Sequence, residues 1–112
     1  MKLPSADQLV VEREKIVGYL LNPAHPFGTS KARFFGRFGF TANQWEVFAE
    51  KLRRLGRSHD VVRSRQTPFG MRYEVDGELE TPDGRRPRVR TVWQFDEDEV
   101  APRLITAYPI DE

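Results

Sequence analysis

The side chains best suited to chemistry lie in the segment between Asn22 and Arg33, where a histidine is followed by a lysine and an arginine. We expect this segment to open a helix, and a helix N-terminus presents unpaired backbone N–H groups that attract anions. The sequence therefore predicts a phosphate-binding site formed by Gly28, Ser30, Lys31 and Arg33. It is not a P-loop, because the spacing GxxxxGK[ST] is absent.

Two residues of the same segment could transfer protons. His25, next to Pro26, could act as a general acid or base near neutral pH. Lys31 could stabilise negative charge or move a proton. The alternatives are that His25 is a hydrogen-bonded surface group and that Lys31 is a surface lysine with a packed aliphatic stem.

The last apolar segment adds two hydroxyl groups. Strand alternation would put Leu104, Thr106 and Tyr108 on one face, with Ile105 and Ala107 on the other. If the first face borders a cleft, the Thr106 hydroxyl, the Tyr108 phenol and the nearby Arg103 would converge there. Otherwise Thr106 is an ordinary strand former and Tyr108 an amphipathic filler.

Composition argues against metal chemistry. The chain has no cysteine and two histidines, and it contains neither HExxH nor a histidine–carboxylate cluster. A disulfide framework, a thiol nucleophile and a cysteine-built zinc site are therefore excluded. We predict no metal site and no cofactor.

Helical periodicity extends to about residue 58. It predicts a short helix within residues 12–21 and a second helix that has Ser30 as its N-cap and ends at Gly39. Residues 41–44 (Thr-Ala-Asn-Gln) form a capping box for a third helix, which Gly56 would close.

After residue 58 the period becomes two, which predicts strands. A turn is expected at residues 81–84 (Thr-Pro-Asp-Gly), between two strands of alternating pattern. If residues 81–85 form the loop, both faces of the hairpin match at once through the pairs Met71 with Phe95, Tyr73 with Trp93, Asp76 with Arg90, and Glu78 with Arg88. Further strands are predicted near residues 60–67 and at 103–109, and the acidic residues 96–99 are predicted to form a solvated loop.

These elements predict an α+β fold, with N-terminal helices packed on one face of a four-stranded antiparallel sheet. Residues 1–112 are expected to form a single domain, with neither a leader segment nor a membrane span. The predicted core contains Trp45, Phe48, Leu52, Tyr73, Val75 and Trp93.

Charge is distributed unevenly along the chain. Residues 31–65 hold nine Lys or Arg against three Asp or Glu, a net of +6, whereas residues 66–112 hold six against eleven, a net of −5. A positive field over one part of the domain could attract a phosphate backbone. Alternatively, a basic helix and an acidic hairpin complement one another.

Several motifs together resemble a bacterial domain family of unknown function. They cover nearly the whole chain: Leu3-Pro4-x-Ala6, Tyr19-Leu20-Leu21-Asn22-Pro23, His25-Pro26-x-Gly28-x-x-Lys31-Ala32-x-Phe34-Phe35, Gly39-Phe40, Thr91-Val92-Trp93 and Arg103-Leu104-x-Thr106-Ala107-Tyr108-Pro109. The predicted order of helices followed by a four-stranded antiparallel sheet, with Thr-Ala-Tyr-Pro near its end, is also similar to the barnase, EndoU, colicin and RelE group of ribonuclease toxins.

The toxin resemblance implies metal-independent cleavage of RNA by attack of the ribose 2′-OH, in the cytoplasm of bacteria, with an antitoxin or immunity protein as partner. It implies roles for Lys31, His25, Thr106 and Tyr108 in catalysis and for Arg33 as a phosphate clamp, and leaves the general base open. The alternative is a non-catalytic interaction module, such as an immunity or antitoxin-like protein or an adaptor.

Overall fold

The structure, a computed structural model, describes residues 1–110. These residues form three helices and one four-stranded antiparallel sheet, and the helices pack on one face of the sheet. The predicted α+β class is confirmed. We call the sheet face without helices the open face.

Helix α1 spans Arg13–Lys15 and continues directly into a π-helical turn at Ile16–Leu20. Helix α2 spans Thr29–Arg37, and helix α3 spans Trp45–Ser58 after a 3₁₀ turn at Ala42–Gln44. No helix within residues 1–110 combines the length and the apolar character needed to cross a membrane.

Two predicted helix caps are wrong, whereas a third is confirmed. Ser30 lies inside α2, and Gly28 occupies the N-cap position. Gly56 lies inside α3, and a Cβ atom there would be 2.7 Å from Cζ2 of the Trp93 indole, so this glycine allows close packing rather than ending the helix. Thr41 does cap its helix, since its hydroxyl accepts a hydrogen bond from the backbone N–H three residues later at 3.3 Å.

The sheet has the order β1-β2-β3-β4, with the strands at Val61–Thr67, Gly70–Glu78, Arg88–Asp96 and Arg103–Pro109. The predicted hairpin register is confirmed for all four pairs, Met71 with Phe95, Tyr73 with Trp93, Asp76 with Arg90 and Glu78 with Arg88. The turn is closed by a hydrogen bond from the Gly84 N–H to the Thr81 carbonyl at 3.1 Å.

The core lies between the helices and the sheet. Phe48 and Leu52 of α3 are fully buried against Val75 and Trp93 of the sheet. Trp45, predicted to be in the core, is only partly buried, because it stands at the first position of α3 where the helix meets solvent.

Candidate functional site

A groove of about 600 Å³ lies beside β4, between the strand, the π turn and the loop before α2. We call it the β4 groove, and its lining residues are Glu12, Glu14, Lys15, Tyr19, His25, Phe27, Ile105 and Thr106. It brings together two of the predicted catalytic residues, His25 and Thr106. Within residues 1–110, no three His, Asp or Glu side chains are grouped so as to hold a metal ion.

Three polar side chains meet inside the groove. The hydroxyls of Tyr19 and Thr106 share a hydrogen bond of 2.9 Å. The His25 ring packs against the Tyr19 ring, with 4.8 Å between the centroids. Nδ1 of His25 accepts a hydrogen bond from the Phe27 N–H at 3.0 Å, so a neutral imidazole here carries its proton on Nε2.

Two lysines flank the same aromatic ring. Nζ of Lys15 and Nζ of Lys31 each lie 5.5 Å from the Tyr19 centroid, within the range of a cation–π contact. Nζ of Lys31 also donates to the Phe27 carbonyl at 3.1 Å. Lys31 thus contacts the tyrosine of the β4 groove and the loop that carries the histidine.

A bulge in β4 decides which of its side chains reach the groove. The ladder pairs Val92 with Thr106 and then Trp93 with Leu104, which leaves Ile105 as an extra residue. The extra residue reverses the alternation of faces, so Leu104 is 1% exposed beneath the helices whereas Thr106 is not buried. The predicted common face of Leu104 and Thr106 is therefore wrong.

The predicted phosphate residues do not form one site. Ser30 and Arg33 lie in a shallow depression of about 660 Å³ on the outer side of α2. Gly28 is buried, its N–H donates to the His25 carbonyl at 3.0 Å, and a Cβ atom there would collide with the Tyr19 carbonyl. Gly28 thus shapes the loop, whereas the other two residues are on an exposed helix face.

Tyr108 lies outside the β4 groove. It pairs with Arg90 in the ladder. Asp76 binds Arg90 through two hydrogen bonds of 2.8 and 2.9 Å, and this contact raises the pKa of Arg90. The predicted single cleft for all four catalytic candidates is therefore not formed, because Tyr108 shares a sheet face with Thr106 but stands two residues further along β4, beside Arg90 and outside the groove lining.

The comparisons with known proteins identify the family. Residues 2–111 match the family model of DUF6883, a domain of unknown function. The chain belongs to this family. A chain of a contact-dependent growth inhibition toxin–immunity protein complex from Klebsiella pneumoniae 342 shares the fold of this DUF6883 domain with a TM-score of 0.74. The two chains are 21% identical, and the match covers 90% of this chain and 99% of that chain. No match was found among curated proteins.

Sequence reasoning missed Tyr19 as a site residue of this DUF6883 domain. Tyr19 belongs to the motif before the loop, but its place in an apolar helical stripe with Ile16 and Leu20 explained it as a packing residue. Its hydroxyl was the available signal, since a buried phenol needs a hydrogen-bond partner. Lys15, four residues earlier on the same helical face, was also missed, because it lies outside the motifs.

The DUF6883 domain has a second concave region, of about 890 Å³, at one end of the open face. Gln94, 3% exposed, accepts a hydrogen bond from Nε of Arg72 at 3.0 Å and donates to Oγ1 of Thr67 at 3.2 Å. The charged residues that line this concave region are Arg65, Arg72, Arg103, Asp96, Glu97 and Asp98. Three cations and three carboxylates balance here, as Lys15 and Lys31 balance Glu12 and Glu14 at the β4 groove.

Proposed function

We propose that this domain is a bacterial toxin-type ribonuclease that cleaves RNA in the β4 groove without a metal ion. The observation that best supports the proposal is the cluster around Tyr19, where a second hydroxyl, an imidazole and two ammonium groups converge. These groups suit phosphodiester cleavage, which needs proton transfer and stabilisation of negative charge. The shared fold with a chain of a toxin–immunity protein complex is consistent with this class.

In the proposed reaction, the ribose 2′-oxygen attacks the adjacent phosphorus. The 2′-OH proton passes to a base, the bond between phosphorus and the 5′-oxygen breaks, and the departing oxygen takes a proton from an acid. The products are a 2′,3′-cyclic phosphate and a 5′-hydroxyl end. We assign His25 to one of these proton transfers. Glu12 and Glu14, which line the groove, are the carboxylates available for the other.

The remaining groups would bind the phosphate and stabilise its charge. Lys31 and Lys15 would stabilise the negative charge that develops on the phosphorane. The hydroxyls of Thr106 and Tyr19 would orient the phosphate. Tyr19 thus takes the role that the sequence analysis gave to Tyr108. The proposal extends to the start of α2. The exposed side chains of Ser30 and Arg33 would contact a neighbouring phosphate of the RNA, and Gly28 shapes the loop before them.

The direct test is incubation of the purified full chain with a defined RNA in EDTA, followed by end-group analysis of the products. We expect fragments with 2′,3′-cyclic phosphate and 5′-hydroxyl ends. His25→Ala should lower the cleavage rate by about 10²- to 10⁴-fold, the usual contribution of a positioned proton-transfer group. His59→Gln, a change of the other histidine outside the groove, is the matched control and should keep the activity.

The hydroxyl pair provides a finer test of the same site. Thr106→Val and Tyr19→Phe each remove one partner of a single hydrogen bond, so their effects on rate should not add in the double variant. Intact RNA after incubation with folded wild-type protein, or full activity in folded His25→Ala, contradicts the proposal.

The alternative function is a non-catalytic interaction module, such as an immunity or antitoxin-like protein or an adaptor. One observation favours it: Val100 is 74% exposed beside the acidic loop that contains Glu97, Asp98 and Glu99. An apolar side chain next to carboxylates suits a basic protein partner. Wild-type protein that leaves RNA intact and protects cells from a co-expressed toxin would establish this alternative.

A further inference from the structure

The two edges of the sheet differ in how they are covered. At β4, the Val10 N–H donates to the Pro102 carbonyl at 3.0 Å, and the Leu104 N–H donates to the Val10 carbonyl at 2.9 Å. At β1, the Val61 N–H donates to the Met1 carbonyl at 2.7 Å. Beyond that bond, no backbone hydrogen bond joins the outer edge of β1 to any other segment of residues 1–110. The start of β4 is therefore covered by two backbone hydrogen bonds, whereas residues 62–66 of β1 are open.

The open part of β1 comprises residues 62–66, and all five are exposed. Val62 is 55% exposed, although an apolar β-branched side chain is ordinarily packed in a sheet. Arg63 and Arg65 have no ion-pair partner within residues 1–110, and Arg65 stands opposite Arg72 in the ladder. Like charges in directly opposed positions are unfavourable. This edge therefore carries positive charge that the domain does not neutralise.

We infer that the open edge of β1 pairs with an extended, acidic segment of a partner protein. A strand edge offers alternating N–H donors and carbonyl acceptors, and a further strand satisfies both kinds of group. Glutamate or aspartate side chains on that strand would lie opposite Arg63 and Arg65 and neutralise them.

Two other occupants fit the edge less well. A second copy of this chain would place Arg63 and Arg65 near the same arginines of its partner, which repel. An RNA backbone could neutralise the arginines, but its phosphates supply only acceptors and would meet the exposed carbonyls of the strand unfavourably. The inference goes beyond the proposed ribonuclease function and does not depend on it.

The test uses the ¹⁵N-labelled full chain and a capped peptide, acetyl-Glu-Val-Glu-Val-Glu-Val-Glu-amide, as the probe. We expect the amide signals of residues 62–66 to shift and their exchange with solvent to slow. The double variant Arg63→Glu/Arg65→Glu should bind this peptide at least about tenfold more weakly, because two attractive cross-strand pairs become repulsive. The same peptide with lysine in place of glutamate should not bind.

The matched control is Arg37→Glu/Arg86→Glu, which makes the same change in net charge at two exposed positions outside β1 and should bind the acidic peptide like the wild type. Absence of binding, shifts confined to residues outside 62–66, or equal affinity in the folded β1 variant would each overturn the inference. Stronger perturbation of residues 62–66 by a 2′-O-methyl RNA hexamer at the same salt concentration would show a nucleic-acid surface instead.

Discussion

A single carboxylate organises the turn between β2 and β3. Asp83 accepts hydrogen bonds from the Thr81 hydroxyl at 2.9 Å and from the backbone N–H and Nε of Arg85 at 2.9 and 2.8 Å. The side-chain hydrogen bond from Arg85, with the smaller contribution of its N–H, lowers the pKa of Asp83 to about 2. The turn is thus held by an ionised group that acid would neutralise.

Asp83→Asn should therefore lower the melting temperature at neutral pH. The pKa of Asp83 is lower in the folded state than its ordinary value of 3.8, so the carboxylate stabilises the fold above that value and loses this effect as the pH falls towards 2. Thermal melts from pH 7 to pH 2 should show the difference between wild type and variant shrinking below about pH 4. Asp98→Asn, in the exposed loop after β3, is the control, and a difference that stays constant across the range contradicts the prediction.

At the level of elements, helix α3 is positioned on the sheet by the absence of a side chain. Gly56 lets the backbone of α3 approach the Trp93 indole, and a Cβ atom would lie 2.7 Å from Cζ2 and 3.0 Å from Cε2. The indole N–H in turn donates to the Thr91 hydroxyl at 2.8 Å, and this hydroxyl donates to the Val75 carbonyl at 2.9 Å. The ring therefore has little room to move.

Alanine at two helical glycines should have opposite effects on stability. Gly56→Ala should lower the free energy of unfolding by about 1–3 kcal/mol, because the added methyl group overpacks the contact with Trp93. Gly36→Ala, on the exposed side of α2 with no atom within 4 Å of the new Cβ, should raise it by about 0.5–1 kcal/mol through helix propensity. Urea unfolding of both variants measures the pair, and destabilisation by Gly36→Ala or stabilisation by Gly56→Ala would contradict this account.

The strand pairs were predictable where two independent patterns agreed. In the β2–β3 hairpin, apolar pairs on one face and opposite charges on the other select the same register, so a slip of one residue would spoil both. The bulge at Ile105 has no comparable local signal, and it puts Leu104 on the opposite face from Thr106 and Tyr108. The site around Tyr19 depends on contacts between residues far apart in the chain, which periodicity does not reveal.

The basic side chains of residues 31–65 fall into two groups in the folded molecule, those that are neutralised by carboxylates and those that are not. Oε1 of Glu80, after β2, lies 3.2 Å from Nη1 of Arg54 and 3.9 Å from Nζ of Lys51 in α3. The acidic hairpin therefore neutralises part of the basic helix, as one of the two sequence interpretations predicted. Arg33 on α2 and Arg63 on β1 have no ion-pair partner within residues 1–110. The positive charge available to a partner is therefore on α2 and β1 rather than along the basic side of α3.

The core should depend strongly on one aromatic side chain. Phe48 is fully buried, and its ring centroid lies 4.4 Å from that of Phe40 and 4.8 Å from that of Phe35. Phe48→Ala should lower the free energy of unfolding by about 3–5 kcal/mol, through lost burial and the cavity left behind. Val47→Ala, at the neighbouring exposed position, should change it by less than about 1 kcal/mol, and comparable losses in the two variants by urea unfolding would contradict the packing described.

Expression in a bacterium tests the proposed function in cells. Wild-type protein should slow growth and fragment RNA, whereas His25→Ala and Lys31→Ala should relieve the defect while their melting temperatures stay within a few degrees of wild type. Both side chains are partly exposed, and each makes one hydrogen bond to the loop besides its contact with the Tyr19 ring, so their loss should alter the fold little. Equal inhibition by wild type and both folded variants would place the growth effect elsewhere on the molecule.

The hydrogen bond between Tyr19 and Thr106 joins positions 87 residues apart. This separation determines when the β4 groove can assemble during synthesis of the chain. Chains grow from the N-terminus at roughly 5–20 residues per second, so about 4–17 seconds separate the appearance of these two residues on a ribosome. Throughout that interval the histidine loop exists without the strand that completes the β4 groove. Incomplete chains therefore lack the assembled site, and under the proposed function a cell making this protein meets the hazard only once β4 has been translated and has paired with β3.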